Sequence, residues 1–225
     1  MPIEAVLFDM DGLLLDTETI YTRALLEAAE SNGLEMPLEF CHWMIGMPGK
    51  ECEALIQDFF GPGLSLDRFR ESFKDSVARE LEAGLTVKTG AVEILDFLEG
   101  QGLPTAVVTS TGRTTADRHL QQAGLLGRFK TIVTGDDVNH GKPAPDIYLE
   151  AARRLGVAPE RCIALEDSHN GLRAAHAAGT MAIMVPDIVQ PSEEARGQCV
   201  AIARDLHAAL ALLQPALSAN EPRNV

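Results

Sequence analysis

The sequence predicts an α/β fold: a Rossmann-like, doubly wound parallel sheet with an all-helical domain inserted after its first strand. Three observations carry this expectation. Short, nearly continuous apolar runs recur along the chain, helix-like segments separate them, and residues 17–86 break the alternation without any strand-like run.

The apolar runs are "AVLF" (5–8), "TAVVTS" (105–110), "TIVTG" (131–135), "CIALED" (162–167) and "MAIMVP" (181–186). Four to six residues with few polar interruptions suit parallel strands buried on both faces. The segments between them have helical spacing. "AVEILDFLEGQG" (91–102) sets Ala91, Ile94, Leu95 and Leu98 on one face and stops at glycine. "PDIYLEAARRLG" (145–156) opens on proline and closes on glycine, the common asymmetry of helix ends. "NGLRAAHAAG" (170–179) is short and alanine-rich, so it can lie close on a sheet. Strands alternating with helices favour right-handed parallel crossovers.

Within 17–86, "ETIYTRALLEAAESNG" reads as a helix ended by Gly33. "LDRFRESFKDSVARELEAG" repeats Leu66, Phe69, Phe73, Val77 and Leu81 at three- and four-residue steps. The expected division is therefore 1–16 with 87–225 as the α/β core and 17–86 as the helical insert. The tail from 214 ("QPALSANEPRNV") is polar and is expected to fray.

Apolar content is 46% and charged content 23%, enough to bury a sizeable core in 225 residues. The formal charge of −14 argues against a nucleic-acid or anionic-membrane surface, where a basic patch is expected. The insert holds 13 acidic and 6 basic residues, so it supplies half of that charge. A small anionic substrate is still compatible, because a local lysine, backbone N–H groups or a cation can reverse the field in one cleft. Cys41, Cys52, Cys162 and Cys199 form no CxxC pair, so a zinc or redox site is not expected. No basic segment leading into a long apolar run is seen at the start, and no run approaches the ~18 apolar residues of a membrane span. A cytoplasmic monomer with no membrane partner is the expectation.

In a parallel sheet, ligands bind beyond the carboxyl ends of the strands. Four runs end in polar residues there: Asp9 and Asp11; Thr109 and Ser110; Asp136 and Asp137 followed by Lys142; Glu166 and Asp167. Each alone has an ordinary explanation as a turn former, a helix cap or a solvated loop lysine. Together on one edge they form a chemistry. Four carboxylates crowded there would raise one another's pKa values. A hard cation such as Mg²⁺ relieves that repulsion through oxygen ligands and accepts phosphate oxygens as well. A carboxylate beside it can attack phosphorus, and a second acid two residues on can protonate the leaving oxygen and later activate water.

"DMDGLLLDTE", "VVTSTGR", "HGKPAPDIY" and "LEDSHNG" resemble the four ordered motifs of the haloacid dehalogenase-like (HAD) hydrolase superfamily. The resemblance covers nearly the whole chain. It is nearest the helical-cap branch of β-phosphoglucomutase, phosphoglycolate-phosphatase-like enzymes and pseudouridine-5′-phosphatase. It implies a Mg²⁺-dependent phosphatase acting on a small phosphorylated metabolite through an aspartyl-phosphate. Asp9 would be nucleophile and metal ligand, and Asp11 general acid/base with its backbone carbonyl on the metal. Thr109 and the Ser110 N–H would hold the phosphoryl group. Lys142 would neutralise nucleophile and phosphate. Asp167 would bind Mg²⁺, with Glu166 acting directly or through water. The insert would be a mobile cap. Glu18, Gly46, Lys50, Arg113 and Asn170 are further substrate-binding candidates. "IGMPGK" (45–50) resembles the cap loop that reaches the substrate in this branch; a plain interhelical turn explains it equally well.

Within the resemblance a sugar phosphomutase is the alternative. Its pattern has a histidine on the first cap helix, where this chain has Tyr21, and a cap arginine near Gly49, where this chain has only Lys50. The dehalogenase relatives lack the second aspartate, so Asp11 argues against that chemistry. A non-catalytic binding domain is opposed by the retention of every reactive residue type.

Overall fold

The computed structural model describes residues 2–47 and 49–218. In chain order the elements are β1 (Ala5–Phe8), α1 (Thr17–Ser31), α2 (Leu38–Trp43), α3 (Gly49–Phe60), α4 (Leu66–Ala83), α5 (Ala91–Gly100), β2 (Thr105–Val108), α6 (Arg113–Gln122), β3 (Thr131–Val133), α7 (Asp146–Leu155), β4 (Cys162–Glu166), α8 (His169–Ala177), β5 (Met181–Met184), α9 (Glu193–Gln198), β6 (Ala201–Ile202) and α10 (Leu206–Ser218). They divide into two compact units. One comprises the chain up to Leu15 and from Val87 onward, the other Asp16–Thr86.

The first unit is built on one six-stranded sheet of order β3-β2-β1-β4-β5-β6. Every pairing is parallel. Strand order runs one way from β1 through β2 to β3 and the other way through β4 to β6, so the reversal lies between β1 and β4. That is where an open α/β sheet offers a crevice at its carboxyl edge. Phe8 lies opposite Leu165 in the register, which brings the residues following each strand side by side.

β1, β2 and β4 are buried along their whole length, which explains why they read as continuous apolar runs rather than as alternating ones. Ile147, Tyr148, Ala151 and Ala152 of α7, and Leu172, Ala174 and Ala175 of α8, join Leu7, Val108 and Ala164 of the sheet in one core. The alanines let both helices approach the sheet closely. Gly156 ends α7 with φ of 72°, the left-handed conformation glycine adopts without steric cost.

Among its described residues the second unit holds helices and their connecting turns, and no strand. α1 packs along α4, and Ala28, Ala29, Phe40, Ile56 and Phe69 form its centre. Phe40 and Phe59 stack with ring centroids 4.1 Å apart. Arg79 pairs with Glu27, and Arg70 with Glu53.

Two sequence expectations change. The tail does not fray at residue 214: α10 continues through Pro215 to Ser218, held by buried Leu213 and Leu217, and the fraying expected of 219–225 lies outside the described residues. The stretch 45–50 is only partly loop, because α3 begins at Gly49 and already contains Lys50; Pro48 lies outside the described residues. The elements beyond the sequence reading include β6 and α6. β6 is a two-residue edge strand, too short to leave a periodic signal, and α6 has three polar residues in its first turn. All four cysteines are free. Among the described residues no helix is long and apolar enough to cross a membrane.

Candidate active site

Asp9 directly follows β1, and its backbone N–H donates to the Leu165 carbonyl at 3.0 Å, tying it to β4. Gly12, with φ of 83°, turns the chain away after Asp11. Asp9, Glu166 and Asp167 each offer a carboxylate oxygen, these atoms lie within 4.8 Å of one another, and all three residues are buried. At an effective dielectric of about 20, two like charges this close repel by roughly 3 kcal/mol or more. The cluster must be neutralised.

Lys142 supplies part of that neutralisation. Its Nζ donates to Asp9 Oδ1 and to Glu166 Oε1, each at 2.5 Å, and to the Val108 carbonyl at 3.0 Å. One buried ammonium thus joins the ends of β1, β2 and β4. Burial alone would lower the lysine's pKa, but the charges of Asp9 and Glu166 outweigh it and hold the ammonium ionised. At Asp9 burial prevails instead. Burial, aided by Glu166 and Asp11, pushes its carboxyl well above the usual range despite Lys142.

Glu166 is wholly enclosed. Its Oε1 accepts the Tyr148 hydroxyl at 2.6 Å as well as Lys142, and its Oε2 accepts from Ser168 Oγ at 3.2 Å. Ser168 also caps α8, accepting from Gly171 N at 3.1 Å. Burial and the charge of Glu166 lift the Tyr148 phenol well above its ordinary value, so it remains a donor.

The Asp11 carboxylate meets the segment that follows β2. Its Oδ2 accepts from Thr109 Oγ1 at 3.0 Å and from Thr111 Oγ1 at 2.7 Å. Thr109 is buried and its hydroxyl also accepts from the Thr111 N–H at 3.0 Å.

The structure thus brings Asp9, Asp11, Thr109, Lys142, Glu166 and Asp167 to the carboxyl edge at β1, β2 and β4. Ser110 is exposed beside them. Asn170 stands in the first turn of α8, its Oδ1 3.2 Å from Arg173 Nη1. Arg113 departs from the substrate-binding expectation. Its guanidinium donates to the Ile132 carbonyl at 2.6 Å and to Asp137 at 2.7 Å, so it braces α6 against the end of β3. Glu18, Gly46 and Lys50 belong to the helical unit. Glu18 lies in the first turn of α1, Gly46 in the turn after α2 with φ of 73°, and Lys50 is exposed in the first turn of α3. Thr111 and Tyr148 are site residues beyond the sequence reading. Thr111 lies in the bend after β2, where no strand periodicity marks it.

The cluster fits a hard divalent cation. All its donors are oxygens, it is buried, and its three carboxylates have one lysine among them, paired with Asp9 and Glu166.

A doubly wound sheet with paired carboxylates at its reversal point, bridged by one lysine, defines a hydrolase site of the haloacid dehalogenase kind. The family model described as haloacid dehalogenase-like hydrolase matches residues 6–185, and the chain belongs to that family. It is similar to the phosphorylated carbohydrates phosphatase of Thermotoga maritima, 35% identical over 177 residues, which are 79% of this chain and 82% of that protein. CbbY from Rhodobacter sphaeroides, solved in complex with phosphate, superposes with a TM-score of 0.75 at 30% identity, covering 91% of this chain and 95% of that one. A HAD family hydrolase from Deinococcus radiodurans, solved with bound phosphate and sodium, gives 0.80 at 28% identity, covering 96% of each chain. The chain is accordingly a hydrolase of the phosphatase type.

Proposed function

We propose that this protein is a Mg²⁺-dependent phosphomonoesterase that hydrolyses a small phosphorylated metabolite, a sugar phosphate or nucleotide-like monoester, through an aspartyl-phosphate. The observation that carries the reading is the buried ion triad Asp9–Lys142–Glu166 with Asp167 in the same cluster. The sugar-phosphate side draws support from the carbohydrate phosphatase relative.

Asp9, Asp167 and the Asp11 carbonyl would hold the cation, with Glu166 contributing directly or through water. When bound, Mg²⁺ supplies charge neutralisation for the phosphoryl oxygens. Asp9 attacks phosphorus. The bond to the leaving oxygen breaks with its electron pair, and Asp11 gives that oxygen a proton. Asp11 then takes a proton from water as the water attacks phosphorus, and the Asp9–phosphorus bond breaks to release phosphate. Lys142 keeps Asp9 oriented and offsets charge on the transferring group. Thr109 and the Ser110 N–H bind phosphoryl oxygens, and Asn170 lines the entrance. In the helical unit, Glu18, Gly46 and Lys50 are the candidates for substrate recognition.

The phosphomutase alternative asks for a histidine on α1. Tyr21 stands there and packs against Phe73, with centroids 6.4 Å apart. Hydrolysis is the better fit.

The test is phosphate release from a panel of monoesters with and without Mg²⁺. Release that requires Mg²⁺ and vanishes in Asp9→Asn is expected. No release from any monoester at saturating Mg²⁺ would sink the reading. Conversion of β-glucose 1-phosphate to glucose 6-phosphate with little free phosphate would favour the mutase.

A further inference from the structure

Two threonine hydroxyls converge on one oxygen. Thr109 Oγ1 and Thr111 Oγ1 stand 3.0 and 2.7 Å from the same Asp11 Oδ2. A hydroxyl has one proton to donate. Phosphoryl oxygens and carboxylates both need that proton. Thr109 cannot serve Asp11 and a phosphoryl group at once, and the proposed function assigns it the phosphoryl group. When substrate takes the Thr109 proton, the Thr111 proton still holds Asp11 Oδ2.

The loop bearing both threonines is fixed from behind. The Arg113 N–H, at the start of α6, donates to Asp136 Oδ2 at 2.7 Å. α6 has glycine at its N-cap and no capping side chain of its own, so Asp136 supplies that acceptor from the loop after β3. A Cβ at Gly135 would stand 2.5 Å from the Ser110 carbonyl oxygen, so the two loops touch backbone to backbone. The Arg113 guanidinium closes the brace on Asp137. Thr111 thus projects from a segment with little freedom to drift.

We propose that Thr111 is a positioning residue for the general acid: its hydroxyl fixes Asp11 Oδ2 as an acceptor and places the transferable proton on Oδ1. This rests on Asp11 acting as the acid. In the first step the bond from phosphorus to the leaving oxygen breaks, its electron pair stays on that oxygen, and the proton passes to it from Oδ1. Asp11 is left a carboxylate held by Thr111. In the second step Oδ1 takes a proton from the attacking water. No other co-reactant is needed.

The consequence is a leaving-group dependence. Phenolate, whose conjugate acid has a pKa of about 10, leaves better when protonated. A p-nitrophenolate needs little help. Phenyl phosphate and p-nitrophenyl phosphate differ by one nitro group, and the ratio of their kcat/KM values reads the acid step, because kcat/KM covers only the steps through release of the leaving group, whereas hydrolysis of the shared aspartyl-phosphate enters kcat. Loss of folded protein scales both rates alike and drops out of that ratio.

Wild type, Thr111→Val, Thr111→Ser and Asp11→Asn are compared with both esters at saturating Mg²⁺. Thr111→Val should lose about tenfold in kcat/KM on phenyl phosphate, a fraction of the full acid–base contribution. Its kcat/KM on p-nitrophenyl phosphate should change little. Thr111→Ser should restore most of the loss. If Asp11→Asn is selective for phenyl phosphate while Thr111→Val lowers both esters equally, the proposal is overturned and the general acid survives. Thr111→Ser no better than Thr111→Val overturns it as well. If Asp11→Asn itself lowers both equally, the general-acid reading fails and takes the proposal with it.

Discussion

A Cβ built on Gly171 would lie 2.0 Å from the Glu166 carboxyl carbon. The first turn of α8 therefore rests directly on the carboxylate that Lys142 and Tyr148 hold. Glycine at this position is a requirement of the site rather than of the helix.

Gly171→Ala tests this. Alanine is favoured over glycine inside a helix by about 1 kcal/mol, so propensity alone predicts a more stable protein. Here the methyl must push Glu166 off its partners or lift α8 from β4. The turn is also pinned by the Gly171 N–H on Ser168 Oγ. The expected outcome is a net loss of about 1–3 kcal/mol from overpacking, with a fall in turnover. Chemical denaturation and phosphate release measure both, and a stabilised, fully active variant would refute the argument.

Asp9→Asn separates chemistry from folding. Burial already disfavours the Asp9 charge, so a neutral amide in its place relieves a cost. Lys142 keeps Glu166 as its ionic partner. Melting temperature should hold or rise, while turnover falls by about 10³-fold or more, as expected for loss of a nucleophile. A variant that hydrolyses at the wild-type rate would remove Asp9 from that role.

Binding of the cation can be read without activity. A ligand that binds only the folded state at 100 times its Kd stabilises by about 2.7 kcal/mol. Added Mg²⁺ should raise the melting temperature, a chelator should reverse the rise, and Asp167→Asn should shrink it. An equal shift in that variant would take Asp167 out of the metal set.

Much of this centre was legible in the sequence because strands buried on both faces can tolerate charge only at their ends. Asp9, Asp11, Glu166 and Asp167 stand out against apolar runs for that reason. What was not legible depends on register and packing. Tyr148 reads as one more residue on the inner face of α7, and nothing local shows that its hydroxyl reaches Glu166. Gly171 reads as a weak point in a short helix until β4 is set beneath it. Arg113 follows the threonine loop in sequence and suggested a ligand, but the fold turns it towards β3, where Asp137 and the Ile132 carbonyl take its guanidinium.

That last contact gives a pH prediction. Asp137 is partly buried, which opposes its charge, yet hydrogen bonds from Arg154, the Thr134 N–H and the Thr134 hydroxyl, with the charge of Arg113, hold its carboxyl well below the usual range. The unfolded chain has an aspartate pKa of about 3.9. With the folded value lower, the unfolded state binds the proton more readily between the two. Stability from Asp137 is therefore complete above the unfolded pKa and is lost as pH falls below it towards the folded value. Glu150 is lowered too, through hydrogen bonds from Arg153 and Arg154, so acid sensitivity of the wild type is shared. The difference between wild type and Asp137→Asn isolates the Asp137 part. The variant should be less stable by about 1–3 kcal/mol at pH 7, as expected when charged hydrogen bonds are lost. The two stability curves should converge as pH drops below about 4. Denaturant unfolding at a series of pH values measures this, and a gap that stays constant with pH would show that the Asp137 charge does not brace the loops of the site.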